Sequence, residues 1–281
     1  MRCANNQTED FFKVNSLAAI DVHGHIGTYA RGCSALADKL MSGSVPTLIK
    51  NAELANTAIT IVSSMEAFHP PGQSNSIRAN TETANIVQAD SRLMQWAVID
   101  PHIPYTFNQA TDLLTKPWCA GIKIHPEMHM YPINEHGKTL FEFAAEHNAI
   151  ILTHSGEQSS QPEDFVEFAD TFPQVTLILA HLGFGWDGDP SHHVRAVQAS
   201  KHGNVFVDTS SSLSIMTNLL EWAVSEIGAE RILYGTDSPL YFAPMQRARI
   251  NYADISNEAK KKILADNAIR LFKLSNLIKT N

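Results

Sequence analysis

Ile20-Asp21-Val22-His23-Gly24-His25 is the stretch on which the fold of this chain turns. It closes a short apolar run, residues 17–20, with the pattern Asp-x-His-x-His. In an extended strand alternate side chains share a face, which places Asp21, His23 and His25 together and the two imidazoles about 6–7 Å apart. If the strand curls or ends there, both rings converge on one ion, and histidine is the commonest metal ligand. Alone, the pattern fits two polar loop residues equally well.

Outward from this stretch, short apolar runs alternate with helix-like segments. Seven further runs cover residues 58–62, 95–99, 121–125, 149–154, 175–181, 205–208 and 231–237. Helical patterns fall at residues 45–56, with Pro46 in the first turn, and at 80–89, 107–114, 139–148, 162–172 and 215–227. A helical tail spans 256–277, broken at Asp266-Asn267. Residues 26–44 read as a loop with a short helix, and His69-Pro70-Pro71-Gly72 as a turn. Apolar strands alternating with helices indicate a parallel sheet buried on both faces. Eight such units in 281 residues predict a (β/α)8 TIM barrel forming a single domain over residues 1–281. The alternative, a doubly wound open sheet, binds at a glycine-rich turn after its first strand; no Gly-x-Gly-x-x-Gly is present.

Composition narrows the function classes. Hydrophobic residues make up 44%, enough for a large core. The net charge of −8 argues against nucleic acid as a partner, because phosphate binding needs a basic surface. Cys3, Cys33 and Cys119 form no Cys-x-x-Cys pair, so neither a disulfide framework nor a thiolate metal site is expected. Residues 1–16 lack the apolar segment of a secretory signal, and no run approaches a membrane span. A cytoplasmic protein is expected.

The polar residues fall at the ends of the runs. His23 and His25 follow the first, Asp100 ends the third, His125 the fourth, His154 the fifth, His181 the sixth, Asp208 the seventh and Asp237 the eighth. All strands of a barrel open at one face, where active sites sit, so these residues are expected to meet at one mouth. Singly, His154 or His181 would more often be a satisfied polar residue at a strand end; as members of the set they read as functional. Asp100 and Asp208 are open between fixing a loop and lining the site. The other histidines, His69, His102, His129, His136, His147, His192, His193 and His202, read as structural or surface residues.

Asp21-Val22-His23-Gly24-His25, Thr153-His154-Ser155-Gly156, Ala180-His181-Leu182-Gly183 and Gly235-Thr236-Asp237-Ser238-Pro239 resemble, in this order, the motifs of the amidohydrolase superfamily. The resemblance is nearest to its amidohydrolase-related branch of metal-dependent hydrolases and decarboxylases, and residues 266–272 are similar to that branch's C-terminal helix. It implies that His23, His25, His154 and Asp237 hold one divalent ion, zinc first and manganese second, with His181 beside the metal-bound water. The resemblance implies that relatives with two ions use a carboxylated lysine or a glutamate on strand four as a bridge. Lys123 matches that position, but the single-ion arrangement is the expectation for this branch. Lys123 and His125, two residues apart and so on one face, are the expected substrate contacts. Such barrels often pair, so a homodimer is the expected assembly. Asp21 is better read as a buttress of the strand than as a third ligand.

Two reactions follow from such a site. A bound divalent ion lowers the pKa of its water to about 7, with Asp237 as proton acceptor and His181 orienting the water or polarising the electrophile. This predicts hydrolysis of a small amide, ester or lactone. The alternative is non-oxidative decarboxylation of a small aromatic or unsaturated carboxylic acid, with Asp237 passing a proton to carbon. That reaction needs a cation and an aromatic-lined cavity, for which Arg31, Arg78, Lys123, Phe68, Phe184 and Trp186 are the candidates. A barrel that has lost catalysis would lack a ligand, and no expected ligand is missing.

Overall fold

The computed structural model describes residues 16–30, 34–69 and 75–274. Expectations for Cys3, Cys33, Arg31, the turn at 70–72 and the end of the tail lie outside these residues. Eight strands, β1 (Ala19–Ile26), β2 (Thr57–Ser64), β3 (Leu93–Val98), β4 (Cys119–Ile124), β5 (Ile151–Thr153), β6 (Leu177–Leu179), β7 (Val205–Asp208) and β8 (Ile232–Leu233), pair in parallel in sequence order. The last returns to the first. Val22 N–H donates to the Tyr234 carbonyl at 2.9 Å, Asp237 N–H to the His23 carbonyl at 2.7 Å, and His25 N–H to the Ser238 carbonyl at 2.7 Å. The sheet is the expected (β/α)8 barrel.

Helices α1 (Ala35–Met41), α2 (Val45–Leu54), α3 (Ser76–Ala89), α4 (Tyr105–Leu114), α5 (Ile133–Glu146), α6 (Val166–Thr171), α7 (His192–Ala199), α8 (Leu219–Ile227), α9 (Ala243–Asn251), α10 (Asn257–Lys261) and α11 (Asn267–Phe272) surround it. Local chemistry starts several of them. The Ser44 and Asn75 side chains accept from Thr47 N–H and Arg78 N–H, satisfying amides that the first turn leaves unpaired. The Asn75 cap extends α3 upstream of residue 80. Likewise α5 begins at Ile133 rather than 139, its first turn burying Ile133 and exposing Asn134 and Glu135. Between α10 and α11 the expected break is instead a π-helical stretch, Lys262–Asp266. Asn267 is buried there because its amide donates to the carbonyls of Ala229 and Ile232, at 2.7 and 2.8 Å.

Two apolar layers follow from strand alternation. Ile20, Val22, Ile59, Ile61, Met94, Trp96, Leu152, Ile178, Phe206 and Leu233 pack with one another and with Phe272 inside the barrel. Ile122, Ile124, Ile151, Leu177, Leu179, Val205, Val207 and Ile232 pack outward with helix residues such as Leu140, Phe141 and Ile263. In the inner layer β4 contributes Lys123 rather than an apolar side chain, and it is fully buried. No helix among the described residues is long and apolar enough to cross a membrane.

Candidate metal centre

β1 carries an irregularity that builds the site. Asp21 pairs with Thr60 but Gly24 with Val62, so the register shifts by one residue between them. A bulge of this kind reverses the side-chain alternation. Asp21 therefore does not share the face of His23 and His25, contrary to the even alternation of a straight strand. Its Oδ2 accepts from Thr236 Oγ1 at 2.6 Å, and its Oδ1 accepts from the amides of Thr236 and His23. It is a buttress across the barrel seam, and burial pushes its carboxyl up to about 7. Gly24 is required between the histidines: a Cβ there would stand 2.6 Å from Thr60 Cγ2.

The bulge brings the two rings together, with centroids 5.1 Å apart and Nε2 atoms 3.2 Å apart. The outer nitrogens assign their tautomers. His23 Nδ1 lies 2.9 Å from Asp208 Oδ2. His25 Nδ1 lies 3.3 Å from the Ser63 carbonyl, which can only accept, and 3.0 Å from Ser63 Oγ. Both Nδ1 atoms therefore carry the proton, and both Nε2 atoms turn bare lone pairs toward each other. Asp237 Oδ1 joins them, 3.0 Å from His25 Nε2 and 3.5 Å from His23 Nε2. Three buried acceptors converging in this way fit a cation. Ligand bonds of about 2.0–2.1 Å in tetrahedral geometry separate neighbouring ligand atoms by about 3.3 Å, which is the spacing found. Lys123 supplies positive charge from below, its Nζ donating to His23 Nε2 at 3.2 Å. Burial pulls its ammonium down to about 8, against the opposing pull of Asp208 and Asp237.

His154 and His181 stand beside this group. His154 Nδ1 lies 2.9 Å from His181 Nε2, and its Nε2 is 3.9 Å from Glu157 Oε1. His154 stacks on His125 with centroids 4.1 Å apart and an 11° interplanar angle. The residues whose ligand atoms cluster closely are thus His23, His25 and Asp237, with a second cluster of His23, His181 and Asp208; His154 belongs to neither. His125 Nδ1 accepts from the Met128 amide at 3.3 Å, which leaves its proton on Nε2. Burial holds His125 and His181 well below the usual histidine range, so both are neutral. His181 and Asp237 adopt φ values of 78° and 55°. Non-glycine residues in that region cost about 1–3 kcal/mol and gather at functional sites.

A cavity of about 210 Å³ opens on the cluster. His23, His25, Lys123, His125, His154, Glu157, His181 and Asp237 supply its polar wall, and Tyr29, Met41, Met65, Phe68, Met128 and Phe184 much of its apolar wall. A cavity of about 150 Å³ accommodates benzene, so a substituted ring fits here. Asp208 sits just behind this wall, its Oδ2 2.9 Å from His23 Nδ1 and its Oδ1 accepting the His181 amide at 3.0 Å. Asp100 fixes a loop, accepting from the His102 amide at 3.0 Å. Arg78 pairs with Glu82 on the outer surface and Trp186 is 53% exposed, so neither lines the cavity. The sequence reading overlooked Glu157 and Ser210. An acid three residues after His154 and a hydroxyl two after Asp208 were the available signals.

A parallel barrel whose mouth gathers His-x-His from the first strand and an aspartate from the last is the architecture of a metal-dependent barrel enzyme. The chain belongs to the amidohydrolase family, whose model matches residues 20–274. Solved structures share its fold at low identity. 2,6-Dihydroxybenzoate decarboxylase from Rhizobium is 17% identical, with a TM-score of 0.69 over 92% of this chain and 99% of that one. 5-Carboxyvanillate decarboxylase from Novosphingobium aromaticivorans, complexed with manganese and 4-hydroxy-3-methoxy-5-nitrobenzoic acid, is 14% identical, with a TM-score of 0.70 over 92% and 96%. A protein described as amidohydrolase II is 18% identical, with a TM-score of 0.65 over 91% and 100%.

Proposed function

We propose that this protein is a non-oxidative, metal-dependent decarboxylase of a small aromatic carboxylic acid. The observation that carries the reading is a buried cation, Lys123, at the floor of an aromatic- and methionine-lined cavity that also presents the His23, His25 and Asp237 acceptors. The decarboxylases with which the chain shares its fold support it. Hydrolysis, the first expectation from the sequence and its resemblance, becomes the second reading; the amidohydrolase family name and the amidohydrolase II structure are compatible with it.

His23, His25 and Asp237 would hold a divalent ion, which would supply positive charge for the substrate's acid group. Zinc suits the nitrogen-rich set, and manganese is the ion of the Novosphingobium structure. Lys123 adds a second positive charge toward the acid. Phe68 and Phe184 confine the ring, and His125 Nε2–H is a donor for a ring substituent. Asp237 in its acid form would pass its proton to the ring carbon. As that C–H bond forms, the bond to the carboxylate breaks and carbon dioxide leaves.

Metal-reconstituted protein is incubated with a panel of hydroxybenzoates and, separately, with lactones and amides. Carbon dioxide release that is lost in Asp237→Asn, while weak metal binding persists, is the expected result. Ring opening or amide cleavage without carbon dioxide would assign hydrolysis, and full turnover by Asp237→Asn would remove that residue from either mechanism.

A further inference from the structure

Behind the cavity wall a buried hydroxyl connects Asp208 to His181. Ser210 Oγ is hydrogen-bonded to Asp208 Oδ1 and lies 2.8 Å from His181 Nδ1. The same Oδ1 accepts the amides of His181 and Ser210, each at 3.0 Å, and Oδ2 faces His23 Nδ1 at 2.9 Å. A proton on Oδ1 would point into two N–H groups, so Oδ1 is an acceptor and the single Ser210 proton goes to it. Ser210 Oγ must then accept from His181 Nδ1–H. A neutral imidazole protonated at Nδ1 is bare at Nε2. The atom opposite that Nε2, His154 Nδ1 at 2.9 Å, must be its donor. His154 is thereby protonated at Nδ1, and its neutral ring is then bare at Nε2, the form in which a histidine can take an ion.

We infer that Ser210 is a positioning residue whose hydroxyl sets the tautomers of His181 and, through it, of His154. One carboxylate then orders three cavity histidines, His23 directly and the other two through the serine. Histidines that bind metal usually have their second nitrogen held by a carboxylate, a carbonyl or water. Here the hold on His154 passes through a second imidazole and a serine. Both residues are buried, Ser210 completely, so bulk water does not substitute for the hydroxyl. The arrangement deepens the proposed function, because it leaves His154 ready as a ligand.

The test is nitrogen NMR of histidine-selectively ¹⁵N-labelled full-length protein, without metal or substrate. His154→Gln and His181→Gln variants assign the signals. In the wild type both rings are expected to show a protonated-type Nδ1 and an unprotonated-type Nε2. Ser210→Ala is expected to abolish that pattern at His181 and His154 while leaving His23 ordered by Asp208, and Ser210→Thr, which keeps the hydroxyl, to restore it. Wild-type His181 protonated at Nε2 would overturn the inference, as would Ser210→Ala spectra identical to wild type at both rings. Because no turnover is read, failure of the decarboxylase assignment leaves this result standing, and the reverse also holds.

Discussion

Replacing Asp208 with asparagine keeps the shape of a fully buried side chain and changes only what its two terminal atoms can do. In the wild type both oxygens accept: Oδ2 from His23 Nδ1–H, and Oδ1 from two amides and a hydroxyl. An asparagine has one acceptor and one donor end. With the amide oxygen toward the three local donors, its NH₂ faces His23 Nδ1–H. The opposite orientation sets NH₂ against two backbone amides. Either way a buried donor is left without an acceptor, at about 1–3 kcal/mol, and a charge-assisted bond of about 1.5–3 kcal/mol is lost. Lys123 also loses one of the carboxylates favouring its charge, while Asp237 loses a like-charged neighbour, and these effects partly offset. We expect metal-free Asp208→Asn to be less stable by about 3 kcal/mol. His23 can relieve this only by moving its proton to Nε2, where it opposes Lys123 Nζ and blocks the atom that faces the ion, so affinity for zinc or manganese should fall about 10–100-fold. Urea unfolding in chelator measures the first quantity, and competition against a chromophoric chelator the second. Unchanged metal affinity, with the variant folded, would refute the assignment of His23 Nε2 as the bare, ligating nitrogen.

Asp21 offers a pH test. Burial pushes its carboxyl up to about 7 in the folded protein, from 3.8 for an ordinary aspartate. The folded state therefore binds the extra proton between these values, and the contribution of Asp21 to stability falls as pH rises through that window. Asp21→Asn, whose amide oxygen can accept the two backbone N–H groups while its NH₂ faces Thr236 Oγ1, should flatten the stability profile from about pH 4 to 7. A profile parallel to wild type would show that the group titrates normally. At the cavity, Phe184→Ala should raise KM for an aromatic acid on the order of tenfold with a smaller change in kcat; an unchanged KM would place the ring elsewhere.

The barrel was legible because eight buried parallel strands leave eight nearly unbroken apolar runs, and the polar residues closing those runs marked the mouth. Short-range chemistry was harder to read. Nothing in the order Asp21-Val22-His23 reveals a bulge, since it depends on how β1 pairs with β2, and the straight-strand reading placed Asp21 on the wrong face. α9 escaped notice because it buries Gln246 and Arg247 beside Ala243 and Ile250, leaving no apolar period. Arg247 is buried because its guanidinium donates to the carbonyls of Leu17, Ala55 and Asn56, partners distant in sequence. The resemblance offered His154 as a fourth ligand, and the structure sets its Nδ1 2.9 Å from His181 Nε2 and stacks its ring on His125. That arrangement is a matter of side-chain packing, which motif spacing does not encode.

The seam between β1 and β8 joins residues 215 positions apart, as in the bond from Thr236 to Asp21. Asp237 reaches the histidines only because its amide is pinned to the His23 carbonyl across that seam. The acceptor cluster therefore does not exist in a chain that has built seven strands and not the eighth. During synthesis and refolding, high-affinity metal capture has to wait for a highly non-local contact, a class of contact that forms slowly. Metal uptake would then time barrel closure, and an ion that binds only the closed form would lock in the last step of folding.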